Sequence, residues 1–188
     1  MQPILAQDEM VAELIVVTGP PGAGKSTLAE RLVSAFDPSA LVAGDQFFGF
    51  LRAGSIAPWL PQAHQQNEIV ILSAAAASGR LARGGMTVVY DGVLGPWFLP
   101  EFAAATGLAH LHYAVLMPSQ ECCAERVRQR RGHGFTDLEA TRHMHREFTR
   151  ARIASQHLLP AGPHDTPGAS AAVLRERLAS GSLLWRQP

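Results

Sequence analysis

Apolar positions along the chain follow two rhythms. Four short runs of consecutive apolar, often β-branched residues occupy 13–18, 41–44, 86–90 and 109–117, each closed by Gly, Asp or Pro. Such runs predict strands buried on both faces. Between them the apolar positions spread to helical spacing, as at Leu28, Leu32, Val33 and Phe36, which predicts a helix over 25–36 stopped by Asp37-Pro38-Ser39. Further helices are predicted over 46–53, 58–83 (closed by Gly84-Gly85) and 96–106, with Gly107 as C-cap. Another covers 119–131 with Ser119 as N-cap, and the next opens at Thr136 on the capping box Thr136-x-x-Glu139 and runs to about 155. Gly132-His133-Gly134 separates these two. A Pro/Gly-rich stretch, 158–168, has room for a fifth short strand, and 169–179 is the last predicted helix. Strands alternating with helices predict an α/β fold, a parallel sheet with helices on both faces. In such sheets ligands sit beyond the carboxyl ends of the strands.

Composition narrows the functional classes. The chain has 188 residues, 47% of them hydrophobic, enough for one domain with a real core. Sixteen acidic residues balance sixteen basic ones, which argues against a surface built for nucleic acid or anionic lipid. Fifteen of the basic residues are Arg, and the single Lys is Lys25. That excludes an Asn-Lys-x-Asp guanine-reading box, a Ser-x-x-Lys acyl-transfer motif and a Lys-rich tail. Cys122 and Cys123 are the two cysteines; they make neither a disulfide framework nor a four-Cys zinc site. A reducing cytoplasm is the simplest setting. Residues 1–10 lack a basic n-region, and no apolar window approaches the length of a membrane span, so neither a signal peptide nor a membrane partner is expected.

The lone Lys stands in Gly19-Pro-Pro-Gly-Ala-Gly-Lys-Ser26, which fits G-x-x-x-x-G-K-[ST] in full, after a strand and at the start of a helix. Gly19, Gly22 and Gly24 let backbone approach a polyphosphate, and the amides from Gly22 through Ala23 onward are available to its oxygens. Lys25 supplies a compact point charge where Arg's planar fork is too large. The Ser26 hydroxyl suits Mg²⁺, and Thr27 lies near the α-phosphate. Asp91, at the end of a core strand beside this loop, is the second Mg²⁺ candidate; the competing reading is a strand-end cap.

The order of phosphate loop, strand ending in Gly44-Asp45, helical insert, strand 86–91, Arg-rich helix and final loop resembles the small-molecule P-loop kinases: gluconate kinase, shikimate kinase, chloramphenicol phosphotransferase and adenylate kinase. Gluconate kinase is most similar in detail, through Gly44-Asp45, Pro58-Trp59-Leu60 and Arg126-x-x-x-Arg130-x-Gly132-His133-x-Phe135; the sequence departs from it at Tyr90-Asp91-Gly92-Val93. The resemblance implies a three-layer P-loop NTPase fold with a five-stranded parallel sheet in the order 2-3-1-4-5. It implies one domain over 1–188, with a substrate-side helical insert at 46–83 and a lid at 126–136. It also implies transfer of the γ-phosphate of ATP, with Mg²⁺, to the hydroxyl of a small molecule: a sugar acid, a nucleoside or an antibiotic-like acceptor. Asp45 is then the base that takes the hydroxyl proton, the alternative being a helix N-cap carboxylate.

Arg126 and Arg130, four apart, share a helix face suited to polyphosphate, with Arg131 partly rotated from them; otherwise this is a solvated basic helix paired with Glu121 and Glu125. The resemblance implies that Arg126 stacks on adenine, that Arg130 or Arg131 reaches the phosphates, and that Asp165-Thr166-Pro167-Gly168 frames the base, with Pro167 opposite Arg126. Arg52 and His64 in the insert, and Gly92, Val93 and Trp97 in the loop after the third strand, are the candidate acceptor contacts. Phe47, Phe48, Trp59, Trp97 and Phe98 line a pocket or pack in the core. His143 and His145 do not share a helix face, which disfavours a metal site with His133. Rival readings are an ATP-binding regulatory module or slow ATPase with no acceptor, and a nucleic-acid end kinase, which the neutral charge opposes. A monomer and a homodimer are equally compatible with the sequence.

Overall fold

The computed structural model describes residues 13–129, 136–161 and 167–187. Strand β1 (Leu14–Thr18) is wholly buried and lies between β3 (Thr87–Asp91) and β4 (His110–Leu116), both parallel to it. Strand β2 (Ser39–Ala43) continues the sheet beyond β3, and β5 (Leu158–Leu159) lies beside β4, giving the order β2-β3-β1-β4-β5. The parallel sheet and its order agree with expectation. A sixth strand, β6 (Leu184–Arg186), was not predicted; it pairs antiparallel with the first half of β4, on the edge whose second half takes β5. Three residues carry too short an alternation to stand out in sequence.

Side chains alternate along β1 and divide the core. Leu14 and Val16 join Tyr90, Phe102 and Phe148 on one face, while Ile15 and Val17 join Leu28, Leu32 and Leu174 on the other. Helices α1 (Lys25–Val33) and α7 (Pro167–Ala179) cover the second face; α3 (His64–Arg83) and α4 (Leu99–Thr106) cover the first. The result is the three-layer α/β sandwich.

Several boundaries differ from expectation for local reasons. The first helix stops at Val33 rather than Phe36, because Ala35 and Phe36 donate to carbonyls three residues back, in tightened turns. The short helix α2 (Gly44–Phe48) starts earlier than predicted and takes Asp45 into its first turn. The long helix begins at His64 instead of Pro58. Leu60, before Pro61, is extended, and Pro61–Ala63 form a single 3₁₀ turn. Pro96 does not start α4; Phe98 donates to Gly95 in a turn, and Pro100 occupies the first turn of the helix. Gly107 ends α4 in the left-handed conformation, as expected.

Helix α5 (Gln120–Gln129) is capped by Ser119, whose Oγ accepts from Cys122 N at 3.2 Å. The cap of α6 (Leu138–Arg150) is Asp137, whose Oδ1 accepts from Ala140 N at 2.9 Å, rather than Thr136; Glu139 pairs with Arg142 instead of closing a box. This helix ends at Arg150, and Arg152 turns the chain with φ +48°. Helix α7 starts two residues early, with Pro167 at the position where a missing N–H is harmless.

Candidate nucleotide and acceptor site

The parallel register lines up the ends of three strands. Asp91 lies beside Val17 of β1 on one side and Ala43 of β2 on the other. The Gly19–Gly24 loop, the Gly44-Asp45 turn and the Asp91-Gly92 turn therefore leave the same edge of the sheet.

The loop is compressed against β4 and α5. Gly19 (φ +143°) and Gly22 (φ +82°) adopt conformations that L side chains rarely adopt; a Cβ would come within 2.1 Å of Leu116 O at the first and 2.3 Å of Cys123 O at the second. Ala23 N donates to Pro20 O at 3.1 Å and closes the turn. Lys25 is buried, and its Nζ donates to the same Pro20 carbonyl at 3.2 Å. Ser26 and Thr27 are exposed in the first turn of α1. Arg126 reaches the loop from α5, Nη1 donating to Ala23 O at 3.1 Å. On the same helix Arg128 pairs with Glu125.

Asp91 is mostly buried, and burial pushes its pKa up; the Ser26 hydroxyl and the Lys25 charge pull it down, while Asp45 and Glu30 add to the rise. Its Oδ1 is buried with no hydrogen-bond partner. A buried carboxylate oxygen without a donor, beside a serine hydroxyl, is a hard-oxygen set that fits Mg²⁺. Asp45 is exposed in the first turn of α2, and its charge, after burial, helps to raise the pKa of Tyr90.

The loop after β3 is held from below. Thr18 Oγ1 donates to Leu94 O at 3.0 Å and accepts from Leu94 N at 2.8 Å, and Tyr113 Oη donates to the same carbonyl at 2.8 Å. Thr18 and Tyr113 do not stand out in the sequence as supports, since each reads as an ordinary strand residue. Gly92 follows Asp91 directly, with Val93 partly buried. His64 stacks on Phe98 at 5.2 Å, and Trp97 meets Phe148 edge-on at the same distance. Phe98 is a core residue, while Arg52 is exposed. His145 Nε2 is bonded to Pro118 O at 2.8 Å, and no group of three metal-binding side chains occurs among the described residues.

A groove of about 570 Å³ runs between α1 and α7, lined among others by Thr27, Arg31, Gly168 and Arg175. Pro167 opens α7 at its end. Arg130, Arg131, the Gly132–Gly134 break and Asp165-Thr166 lie outside the described residues, so the expected lid is represented only by Arg126 to Gln129. Among the described residues no helix is long and apolar enough to cross a membrane.

This sheet order with a phosphate loop after β1 is the fold of the P-loop small-molecule kinases. The AAA domain family model matches residues 14–153, and the chain belongs to that family. A search of curated proteins finds no match. Similar solved structures include a sugar kinase from Janibacter sp. (16% identity, 89% of this chain and 95% of that one, TM-score 0.65). A Deinococcus radiodurans tunicamycin resistance protein (17%, 94% and 99%, 0.57) and a gluconokinase from Sinorhizobium meliloti (19%, 92% and 98%, 0.55) are also similar. At these identities the likeness is one of fold.

Proposed function

We propose that this protein is a single-domain kinase that moves the γ-phosphate of ATP, with Mg²⁺, to a hydroxyl of a small molecule. The observation that carries the reading is the convergence of three groups at one sheet edge: a complete phosphate loop with buried Lys25, the Ser26–Asp91 oxygen pair, and an exposed carboxylate, Asp45. The kinase names of the similar structures support the same class.

In this reading Lys25 and the loop amides neutralise the β- and γ-phosphates and orient them for in-line attack. Ser26 and Asp91 would hold Mg²⁺, which supplies charge neutralisation on the transferring phosphate when bound. Asp45 accepts the proton of the acceptor hydroxyl, a role that typically contributes ~10²–10⁴-fold. Arg126 contributes positive charge beside the phosphate loop, the role that the resemblance also implies for Arg130 or Arg131. The groove beside Thr27 and Gly168 takes the nucleoside. Arg52, His64, Gly92, Val93 and Trp97 face the acceptor.

The test is ATP-dependent phosphorylation across sugar acids, nucleosides and antibiotic-like alcohols, with Lys25→Met as control. Loss of turnover in Lys25→Met is expected. Wild-type turnover in that variant refutes the phosphate site, and ATP hydrolysis that no acceptor stimulates refutes the transfer.

A further inference from the structure

Five large hydrophobic side chains are exposed among the described residues: Leu41, Phe50, Leu60, Ile69 and Trp97. Four of them fall in two stretches, 50–69 and the loop after β3, that follow Asp45 and Asp91 directly in the chain. Single exposed apolar residues are ordinary, but several on segments that touch one another mark a candidate binding surface.

The two stretches are physically joined. Gln66 brackets Ile56 with two bonds, Ile56 N donating to Oε1 at 2.8 Å and Nε2 donating to Ile56 O at 2.7 Å. Asn67 Nδ2 donates to Pro58 O at 2.6 Å, which fastens the insert to the first turns of α3. The same end of α3 carries His64, stacked on Phe98 of the other stretch, and the Phe50 ring lies 5.3 Å from that of Phe47 in α2.

These stretches are also poor in charge. From Gln46 to Ile69 the formally charged residues are Arg52 and Glu68, of opposite sign, and there is none from Gly92 to Phe98. Since Arg52 and Glu68 cancel, a carboxylate on the acceptor would lie beside Asp45 and Asp91 with no net positive charge from these two stretches to offset it. Anions removed from water without partners are strongly disfavoured.

We infer that the acceptor is an uncharged alcohol with an aromatic or alkyl body, its apolar part against Phe50 and Trp97 and its hydroxyl toward Asp45. The inference rests on the phosphotransferase reading for the direction of the hydroxyl. It is tested on the full chain with Mg²⁺ and ATP, following ADP release and tryptophan fluorescence with two probe sets: neutral aryl alcohols such as substituted benzyl alcohols, and the anions gluconate and shikimate.

The aryl alcohols are expected to bind at least tenfold more tightly than the anions and to stimulate ADP release. Phe50→Ser and Trp97→Ser should each reduce that preference about tenfold, with Leu41→Ser, an exposed hydrophobic outside both stretches, leaving it intact. Stronger stimulation by gluconate or shikimate overturns the inference while leaving the kinase reading standing. So does a preference that survives both substitutions, or an absence of binding by either set. Aryl alcohol binding with no phosphate transfer to any acceptor upholds the binding surface and refutes the kinase reading instead.

Discussion

Replacing Gly22 by Ala separates what the phosphate loop's geometry does from what its backbone conformation costs. Gly22 has φ +82°, and a Cβ there would stand 2.3 Å from Cys123 O, 2.9 Å from its carbonyl carbon and 3.0 Å from its Cα. All three neighbours are backbone at the start of α5, so no side chain can swing aside. The left-handed conformation alone costs an Ala roughly 1–2 kcal/mol. Relieving the carbonyl contact requires the loop or α5 to move by roughly 0.7 Å, on the scale at which a misplacement of ~1 Å loses ~10²-fold in rate. Gly85→Ala is the matched control: its φ is +95°, and a Cβ meets nothing within 4 Å. Both variants should lose about 1–2 kcal/mol in urea unfolding, seen as a Tm lower by about 2–4 °C per kcal/mol, with Gly22→Ala the less stable. Only Gly22→Ala should lose ATP turnover, by about two orders of magnitude. A folded Gly22→Ala protein with ATP turnover like that of Gly85→Ala refutes the claim that this loop shape positions the phosphates.

Gly44→Ala tests the acceptor side in the same way: its Cβ would meet Tyr90 Oη at 2.5 Å and Cζ at 2.9 Å, so Asp45 should shift and acceptor phosphorylation should fall ~10–100-fold while ATP binding is kept. Adding Tyr90→Val removes the obstacle and should restore part of the transfer; equal activity in single and double variants would refute the contact. His157, buried with Nδ1 donating to Tyr113 O at 3.0 Å, has its pKa held below the ordinary imidazole value by desolvation. Below pH ~6.5 the unfolded chain binds this proton first, so stability should fall as pH drops through that range, by at most ~1.4 kcal/mol per pH unit. His157→Gln should flatten that fall in urea titrations at pH 7.5 and 5.5 (roughly one unit either side of the ordinary value), and an unchanged slope would exclude the group.

The parts of the molecule readable in sequence are those whose physics is local. The β-branched runs with terminal Gly or Asp specify buried strands, and the G-x-x-x-x-G-K-S spacing specifies its turn, so the sheet and phosphate loop appear as expected. The misread boundaries depend on competition between local signals. Pro58 and Pro61 both offer a helix start, and the bonds of Gln66 and Asn67 back to Ile56 and Pro58 favour the later one. Thr136 and Asp137 both offer a cap, and the carboxylate takes it. The supports of the loop after β3 are hidden in the sequence for a different reason. Thr18 and Leu94 are 76 residues apart, and Tyr113 joins them only because β4 lies next to β1. Such pairings are set by the register of the sheet, which a single sequence does not display.

Arg126 is where local and long-range order meet, and its observed bond redirects the expectation for it. Its spacing from Arg130 points to polyphosphate, and the kinase resemblance places it on adenine; in the structure it donates to Ala23 O, inside the phosphate loop. A trans peptide holds its carbonyl and the following N–H on opposite sides. Arg126 therefore fixes the orientation of the Ala23–Gly24 peptide, as Lys25 and Ala23 N fix the carbonyl of Pro20. Hydrogen bonds to charged groups contribute roughly 1.5–3 kcal/mol, so Arg126→Met, which keeps the aliphatic stem, should weaken ATP binding by about 10–100-fold. Adenine stacking predicts a loss of similar size, so ATP alone does not separate the roles. Inorganic tripolyphosphate does, because it has no base. If Arg126 orients the loop, the variant weakens tripolyphosphate and ATP to a similar extent in calorimetric titrations with Mg²⁺. If tripolyphosphate affinity is unchanged while ATP affinity falls, the guanidinium acts on the base and the positioning argument fails.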